Sequence, residues 1–369
     1  WIDLHDVTLA DIERCYEIGR LVGDGNFAVV RECHRRDNGQ ALAVKIVERS
    51  KLIGREHMMQ NELSLLGSLC HPRIVRLFAH HHTHTHSYLV MELVSGGDLF
   101  EAISERGKFS EAEAGLMVSD MSEALNYIHC RSIVHRDLKP ENLLVRITAG
   151  ICRLKLGDFG LAMVVTEPVF TICGTPTYVA PEILCYGVAV DVWALGVILY
   201  ILLCGFPPFR SRDRDQEELF QLIKQGQLHF LSPYWDPISD DARGLVSALL
   251  QPDPTVRLNA QQTLQNPWVT VMASTCSQRA LTDKTHRSTA QVTQRNITQP
   301  PNPVAASSSY NPTTATAQNQ PAETVTSRTF TPPSPNHQHN LDLTLSLLRD
   351  WIELFSFIVP DNTADFVCG

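Results

Sequence analysis

Eight consecutive residues, His135 to Asn142, read HRDLKPEN, and no other stretch limits the fold of this 369-residue chain so strongly. A match of that length at a fixed start has a chance on the order of 10⁻¹⁰, so composition does not explain it. Asp158-Phe159-Gly160 and Ala180-Pro181-Glu182 follow downstream in that order. Upstream, Val22 to Val30 read VGDGNFAVV, a glycine-rich turn between two short strands. Such a turn lets backbone N–H groups approach a phosphate without side-chain obstruction. Taken alone it also describes an ordinary hairpin. Lys45 closes the alternating strand pattern QALAVKIV, where a lysine is either simply exposed or, beside a glycine turn, able to hold phosphates. Glu62 lies in the helical pattern HMMQNELSLLGSL as an ion-pair partner for it.

With these motifs in order, residues 16–268 resemble a eukaryotic protein kinase. The strings GDGNFAVV, EHMMQNE, VMELVSGGDLF, CGTPTYVAPEI and YILLCGFPPF look like the calcium/calmodulin-dependent kinase group, and within it the doublecortin-like kinases. The resemblance implies an α+β bilobal fold, with a small β-rich lobe over about 16–94 and a larger, mainly helical lobe over about 95–268. It implies a Ser/Thr kinase that uses ATP and Mg²⁺ on protein substrates. The alternative is a catalytically weak scaffold of the same fold, or a microtubule-associated interaction protein. Relatives reach microtubules through doublecortin modules, so any such association runs through regions absent from this chain.

Phosphoryl transfer asks mainly for positioning and charge neutralisation. The resemblance makes Asp137 the group that accepts or orients the substrate hydroxyl proton. Lys139 stabilises charge on the transferring phosphoryl group. Asn142 and Asp158 offer hard oxygen ligands to Mg²⁺. Val22, Gly23, Asp24, Gly25, Asn26, Phe27, Ala28, Val29 and Val30 would cover the nucleotide, with Val30 and Ala43 above the adenine and Leu144 below. Met91 takes the gatekeeper position, and the backbone of Glu92 and Val94 meets the adenine edge. Asp98 matches a contact to ribose and to a substrate Arg; with Glu101 and Glu141 it forms an acidic patch suited to an Arg three residues before the acceptor. Carboxylates decorating a helix N-terminus, which the macrodipole favours anyway, account for the patch equally well. Thr171 is the expected site of activating phosphorylation by an upstream kinase, answered by Arg136. Thr175 is expected to bond Asp137 and Lys139. Asp191 would fix the loop around His135 and Arg136 and also cap its own helix. Glu182 would pair with Arg257.

Three departures stand out. Ala28 replaces the third glycine of the turn; the stretch ILCYGVAV between Glu182 and Asp191 is about three residues short for the family; and His80, His81, His82, His84 and His86 crowd one strand tip. The last pattern reads as a solvent-facing hairpin, with metal binding as the alternative.

Composition bounds the rest. With 31 Lys+Arg against 40 Asp+Glu, the net charge of −9 argues against a nucleic-acid footprint. Ten scattered Cys suggest reduced thiols, hence a cytoplasmic protein with the nucleus left open. No secretory signal is visible, and the Trp1 start suits a piece of something longer. The apolar run Val192–Phe209 is broken by Gly205, Pro207 and Pro208, so it is expected to be a core helix ending near Cys204 rather than a membrane span. Residues 1–15 read as a linker and 269–340, rich in Thr, Ser, Pro, Gln and Asn, as disordered. Residues 341–360 read either as a short amphipathic docking helix or as an incidental tail. Calcium control lacks support, because no EF-hand loop and no basic amphipathic helix is visible after Trp268.

Overall fold

The computed structural model describes residues 7–24, 28–54, 56–148, 150–165, 175–182, 187–211 and 215–278. All belong to one compact unit, residues 1–280; of the expected tail 269–340 the part 279–340 lies outside the described residues, as does the segment 341–360. Five antiparallel strands form the small lobe: β1 (Tyr16–Asp24), β2 (Ala28–Arg35), β3 (Ala41–Glu48), β4 (Leu77–His82) and β5 (His86–Glu92), in the order β1-β2-β3-β5-β4. Helix α2 (Glu56–Ser68) connects β3 to β4. Period-2 alternation divides β3 between two clusters. Leu42 and Val44 join Tyr16, Cys33, Tyr88 and Val90 on one face, while Val47 meets Leu52 and Leu89 on the other.

The N-terminal segment differs from the expected linker. Helix α1 (Leu9–Cys15) starts at a capping box in which Thr8 and Asp11 bond reciprocally. Its Ile12, only 2% exposed, belongs to the first small-lobe cluster. Val7 N–H donates to the His82 carbonyl at 2.8 Å, and Arg36 Nε to the Glu13 carbonyl at 2.8 Å. Ile12 is the single buried residue of a seven-residue helix, too short a periodic pattern to announce such docking.

The histidine-rich hairpin faces solvent at its turn, where His84 is exposed, but not along its strands. His80, His81, His82 and His86 are half-buried, and the His80 and His82 rings meet edge-on with centroids 3.8 Å apart. Burial, with the neighbouring imidazoles, pushes the His80 ring down to about 4. Among the described residues no cluster of three or more His, Cys, Asp or Glu side chains is arranged to hold a metal.

The large lobe contains α3 (Leu99–Arg106), α4 (Glu111–His129), α5 (Ala189–Cys204), α6 (Gln216–Gln225), α7 (Asp240–Leu249), α8 (Ala260–Leu264) and a last helix over 267–278. Every residue of α5 from Val190 to Cys204 is buried, and the helix stops where Gly205 adopts φ 93°. Gly196 lets α7 approach closely: a Cβ there would come within 2.8 Å of Leu249 Cβ. No helix among the described residues is long and apolar enough to cross a membrane. Glu111, opening α4, accepts from Ser239 N–H at 2.8 Å and from Trp268 Nε1 at 2.7 Å. With Trp268 and Val269 buried, the 267–278 helix is docked, so ordered structure runs past the expected boundary at 268.

Replacing Ile12 by Ala should cost roughly 2–5 kcal/mol in denaturant unfolding, as for other buried aliphatic truncations. Leu9→Ala on the same helix, at a residue 48% exposed, should stay within roughly 0.5 kcal/mol. Equal effects from the two would show that α1 is not docked through Ile12.

Candidate active site

Strand β3 carries Lys45 into the cleft between the lobes, where its ammonium lies 2.9 Å and 3.0 Å from the two oxygens of Glu62 on α2. Asp158 Oδ1 is 3.6 Å away on the other side. One cation therefore serves two carboxylates. Burial opposes charge on Lys45, but Asp158 and Glu62 more than offset it and raise the ammonium's pKa. Lys45 in turn holds the Asp158 carboxyl below its usual range, whereas burial pushes Glu62 up. Asp158 remains 52% exposed, open to the cleft.

Two strand ladders supply the floor. Strand β6 (Ile133–Val134) pairs with β9 (Met163–Val164), and β7 (Leu143–Thr148) with β8 (Ile151–Leu156), which runs into Asp158. The HRDLKPEN segment leaves β6 and turns beneath the cleft. Its Asp137 carboxylate accepts from the Thr175 hydroxyl at 2.8 Å and meets Lys139 Nζ at 2.9 Å. Lys139 also lies 3.3 Å from Thr175 Oγ1. Asn142 Nδ2 donates to the Asp137 carbonyl at 2.8 Å and to its carboxylate at 3.2 Å. That leaves the Asn142 amide oxygen without a partner among the described residues. Oxygen donors from Asn142 and Asp158 fit a hard cation such as Mg²⁺.

Asp191, 1% exposed in the first turn of α5, holds this loop from below. It accepts from the backbone N–H groups of His135 and Arg136, both at 2.9 Å, and bonds His129 Nε2 at 2.8 Å. Arg136 sits at φ 68°, a left-handed conformation that two such bonds help to maintain. The residue preceding α5, Val188, provides no side-chain cap; among the described residues the Asp191 carboxylate bonds α4 and the loop and does not provide the expected cap of its own helix. Burial pushes the Asp191 carboxyl up, yet the His129 contact and the N–H donors outweigh this and set it below the usual aspartate value. Glu182 meets Arg257 Nη2 at 2.8 Å, and Arg257 also lies 5.0 Å from the Trp193 ring centroid.

Above the cleft, Val22, Gly23 and Asp24 end β1, and Ala28, Val29 and Val30 begin β2; Gly25, Asn26 and Phe27 lie outside the described residues. Gly23 faces Val30, and Ala43 faces Met91, across adjacent strands. Glu92 N–H is already donated to the Arg76 carbonyl at 2.8 Å, which narrows its expected backbone role to the carbonyl. Val94 N–H and C=O make no hydrogen bond with any described residue. Asp98 bridges Leu144 through the backbone and caps α3 in a reciprocal box with Glu101. Both accounts of the acidic patch therefore have structural content. Burial raises Asp98 and Glu141, and one Glu141 oxygen is buried with no partner. Thr171 lies outside the described residues, as does 183–186 in the shortened connection. Arg136 Nε donates to the Leu161 carbonyl at 2.6 Å.

A protein kinase domain model matches residues 16–269. The chain belongs to the protein kinase family. Over 273 residues the kinase domain is 56% identical to serine/threonine-protein kinase DCLK3 of Homo sapiens, a match covering 73% of this chain and 42% of that protein. It is 55% identical over 270 residues to DCLK3 of Mus musculus, covering 72% and 34%. For DCLK1 of Rattus norvegicus the figures are 53% over 264 residues, 70% and 61%. The chain thus spans a third to three-fifths of the length of these relatives. They belong to the doublecortin-like subgroup that the sequence strings resemble.

Two residues of the kinase domain escaped sequence reading. His129 ends α4 without a motif to mark it, and Lys155, within the strand pattern ICRLKL, gave no signal beyond interrupted apolarity. Asp191→Asn should lose roughly 1.5–3 kcal/mol at pH 7, the range for hydrogen bonds to a charged group. Because the folded carboxyl titrates below the ordinary aspartate range, this difference should be full above that range and shrink as pH falls through it. A pH-independent difference in urea unfolding would contradict it.

Proposed function

We propose that this kinase domain transfers the γ-phosphoryl group of ATP to Ser or Thr hydroxyls of protein substrates, with Mg²⁺. The observation that carries the reading is Lys45 held between Glu62 and Asp158 at the mouth of a cleft whose floor presents Asp137, Lys139 and Asn142. Lys45 would hold the nucleotide phosphates, its position fixed by Glu62. Asp158 and Asn142 would hold Mg²⁺, which supplies neutralisation of phosphate charge. Asp137 Oδ1, now bonded by Thr175, would orient the substrate hydroxyl and accept its proton. Lys139 would balance negative charge beside Asp137 as the phosphoryl group moves. Val30, Ala43 and Leu144 would enclose the adenine, with the unpartnered backbone groups of Val94 along its edge.

Asp98 and Glu141 support a preference for an Arg upstream of the acceptor. Burial raises the pKa of both carboxyls, Asp98 raises that of Glu141 further, and the unpartnered Glu141 oxygen invites a guanidinium. Thr171 is proposed as the site of activating phosphorylation by an upstream kinase, with Arg136 in the same loop as Asp137 to receive the phosphate.

The test is transfer of labelled phosphate from ATP to a Ser peptide with Arg three residues before the acceptor, beside the same peptide with Gln there. Asp137→Asn should cut kcat by about 10²–10⁴ while nucleotide still binds. Glu141→Ala should raise KM for the Arg peptide by about tenfold and leave the Gln peptide nearly unchanged. Thr171→Ala should lower activity with nucleotide binding retained. Binding of ATP without any transfer by the unmutated chain would replace the enzyme reading by a scaffold one.

A further inference from the structure

The linker between the lobes is anchored at both ends, and the open backbone groups lie between the anchors. At its start, Glu92 closes β5 opposite Leu42. The Glu92 carboxylate receives Lys155 Nζ at 2.7 Å, and Arg146 Nη1 approaches its other oxygen at 3.5 Å. At its far end, Gly96 N–H donates to the Val145 carbonyl and Val145 N–H to the Gly97 carbonyl, both at 2.9 Å. A Cβ on Gly96 would collide with that Val145 carbonyl, so the approach needs glycine. Between these ties, Val94 offers an N–H and a C=O with no partner among the described residues.

We infer that Lys155 is a positioning residue for nucleotide binding, acting through Glu92 to fix the backbone of Val94 against the adenine. The inference rests on the kinase reading above. Lys155 pairs with Leu144 across the β7–β8 ladder, and directly paired residues project from the same face. Leu144 and Lys155 thus both rise toward the small lobe, one under the adenine position and one under Glu92. Three residues beyond Lys155, Asp158 engages Lys45. Strand β8 and its continuation therefore carry two charges that reach up to the small lobe, one behind the linker and one in front.

A purely structural role explains the pair less well. The Lys155 side chain is 9% exposed and the pair costs desolvation of both charges. Buried ion pairs are often no more stable than apolar side chains of similar volume, so their value is in fixing geometry. Arg146 is mostly exposed and cannot replace Lys155 in that respect.

The experiment uses the full chain with Lys155→Met, Lys155→Arg, Glu92→Gln and the double variant of Lys155→Met with Glu92→Gln. Two readouts are needed: steady-state kinetics, and amide hydrogen exchange across 92–95 without nucleotide. Lys155→Met should raise KM for ATP about tenfold, with kcat and peptide KM within about twofold. Lys155→Arg should recover most of the loss, and the double variant should be no worse than either single change. Exchange at the Glu92 amide, which is bonded to the Arg76 carbonyl, should quicken in Lys155→Met. An unchanged KM for ATP with unchanged exchange would overturn the inference, as would kcat and both KM values worsening together. If the unmutated chain binds no nucleotide, the kinase reading fails; exchange at 92–95 that ignores Lys155→Met then sinks the clamp separately.

Discussion

One buried carboxylate organises the centre of this protein. Asp191 is taken out of water in the first turn of a helix with no other charge, and the three groups it bonds are what make that burial tolerable. Two of them are backbone N–H groups of the loop that carries Asp137, and the third is His129 at the end of α4. The left-handed Arg136 can persist because its neighbouring donors have nowhere else to go. Two residues along the same helix, Trp193 lies beside Arg257, which holds Glu182. The start of α5 thereby fixes both the loop that bears Asp137 and the far side of the segment that bears Thr175.

Charge is distributed across the cleft with equal economy. Lys45 answers two carboxylates, which leaves an excess negative charge at the exposed Asp158, the position where a cation would sit. Behind the cleft the pattern repeats on the same strand, with Lys155 against Glu92. The small lobe is therefore joined to the large one by ionic contacts on both sides of the nucleotide position, and by the Gly96–Val145 ladder below the linker.

Motifs made the site legible in the sequence because phosphate chemistry needs particular groups in a particular order. HRDLKPEN, the aspartate at 158 and the lysine at 45 each carry a residue type that no apolar core would choose. The break of the apolar run at Gly205 likewise follows from backbone geometry. What stayed hidden has no local pattern. Ile12 docks α1 with a single side chain, and Trp268 reaches Glu111 from more than a hundred positions away in the chain. His129 and Lys155 act through partners distant in sequence, so nothing near them announces a role. The imidazoles at 80–82 are polar residues that tertiary packing half-buries, against the usual reading of a polar hairpin tip.

Through its bonds to His135 and Arg136, Asp191 assembles the catalytic loop before any ligand binds. Site-resolved amide hydrogen exchange at His135 and Arg136 in the nucleotide-free chain tests this most directly. Strong protection of both amides, lost in Asp191→Ala while the core of α5 stays protected, is the expected result. Exchange at the rate of an exposed loop, becoming protected only when nucleotide is added, would contradict it.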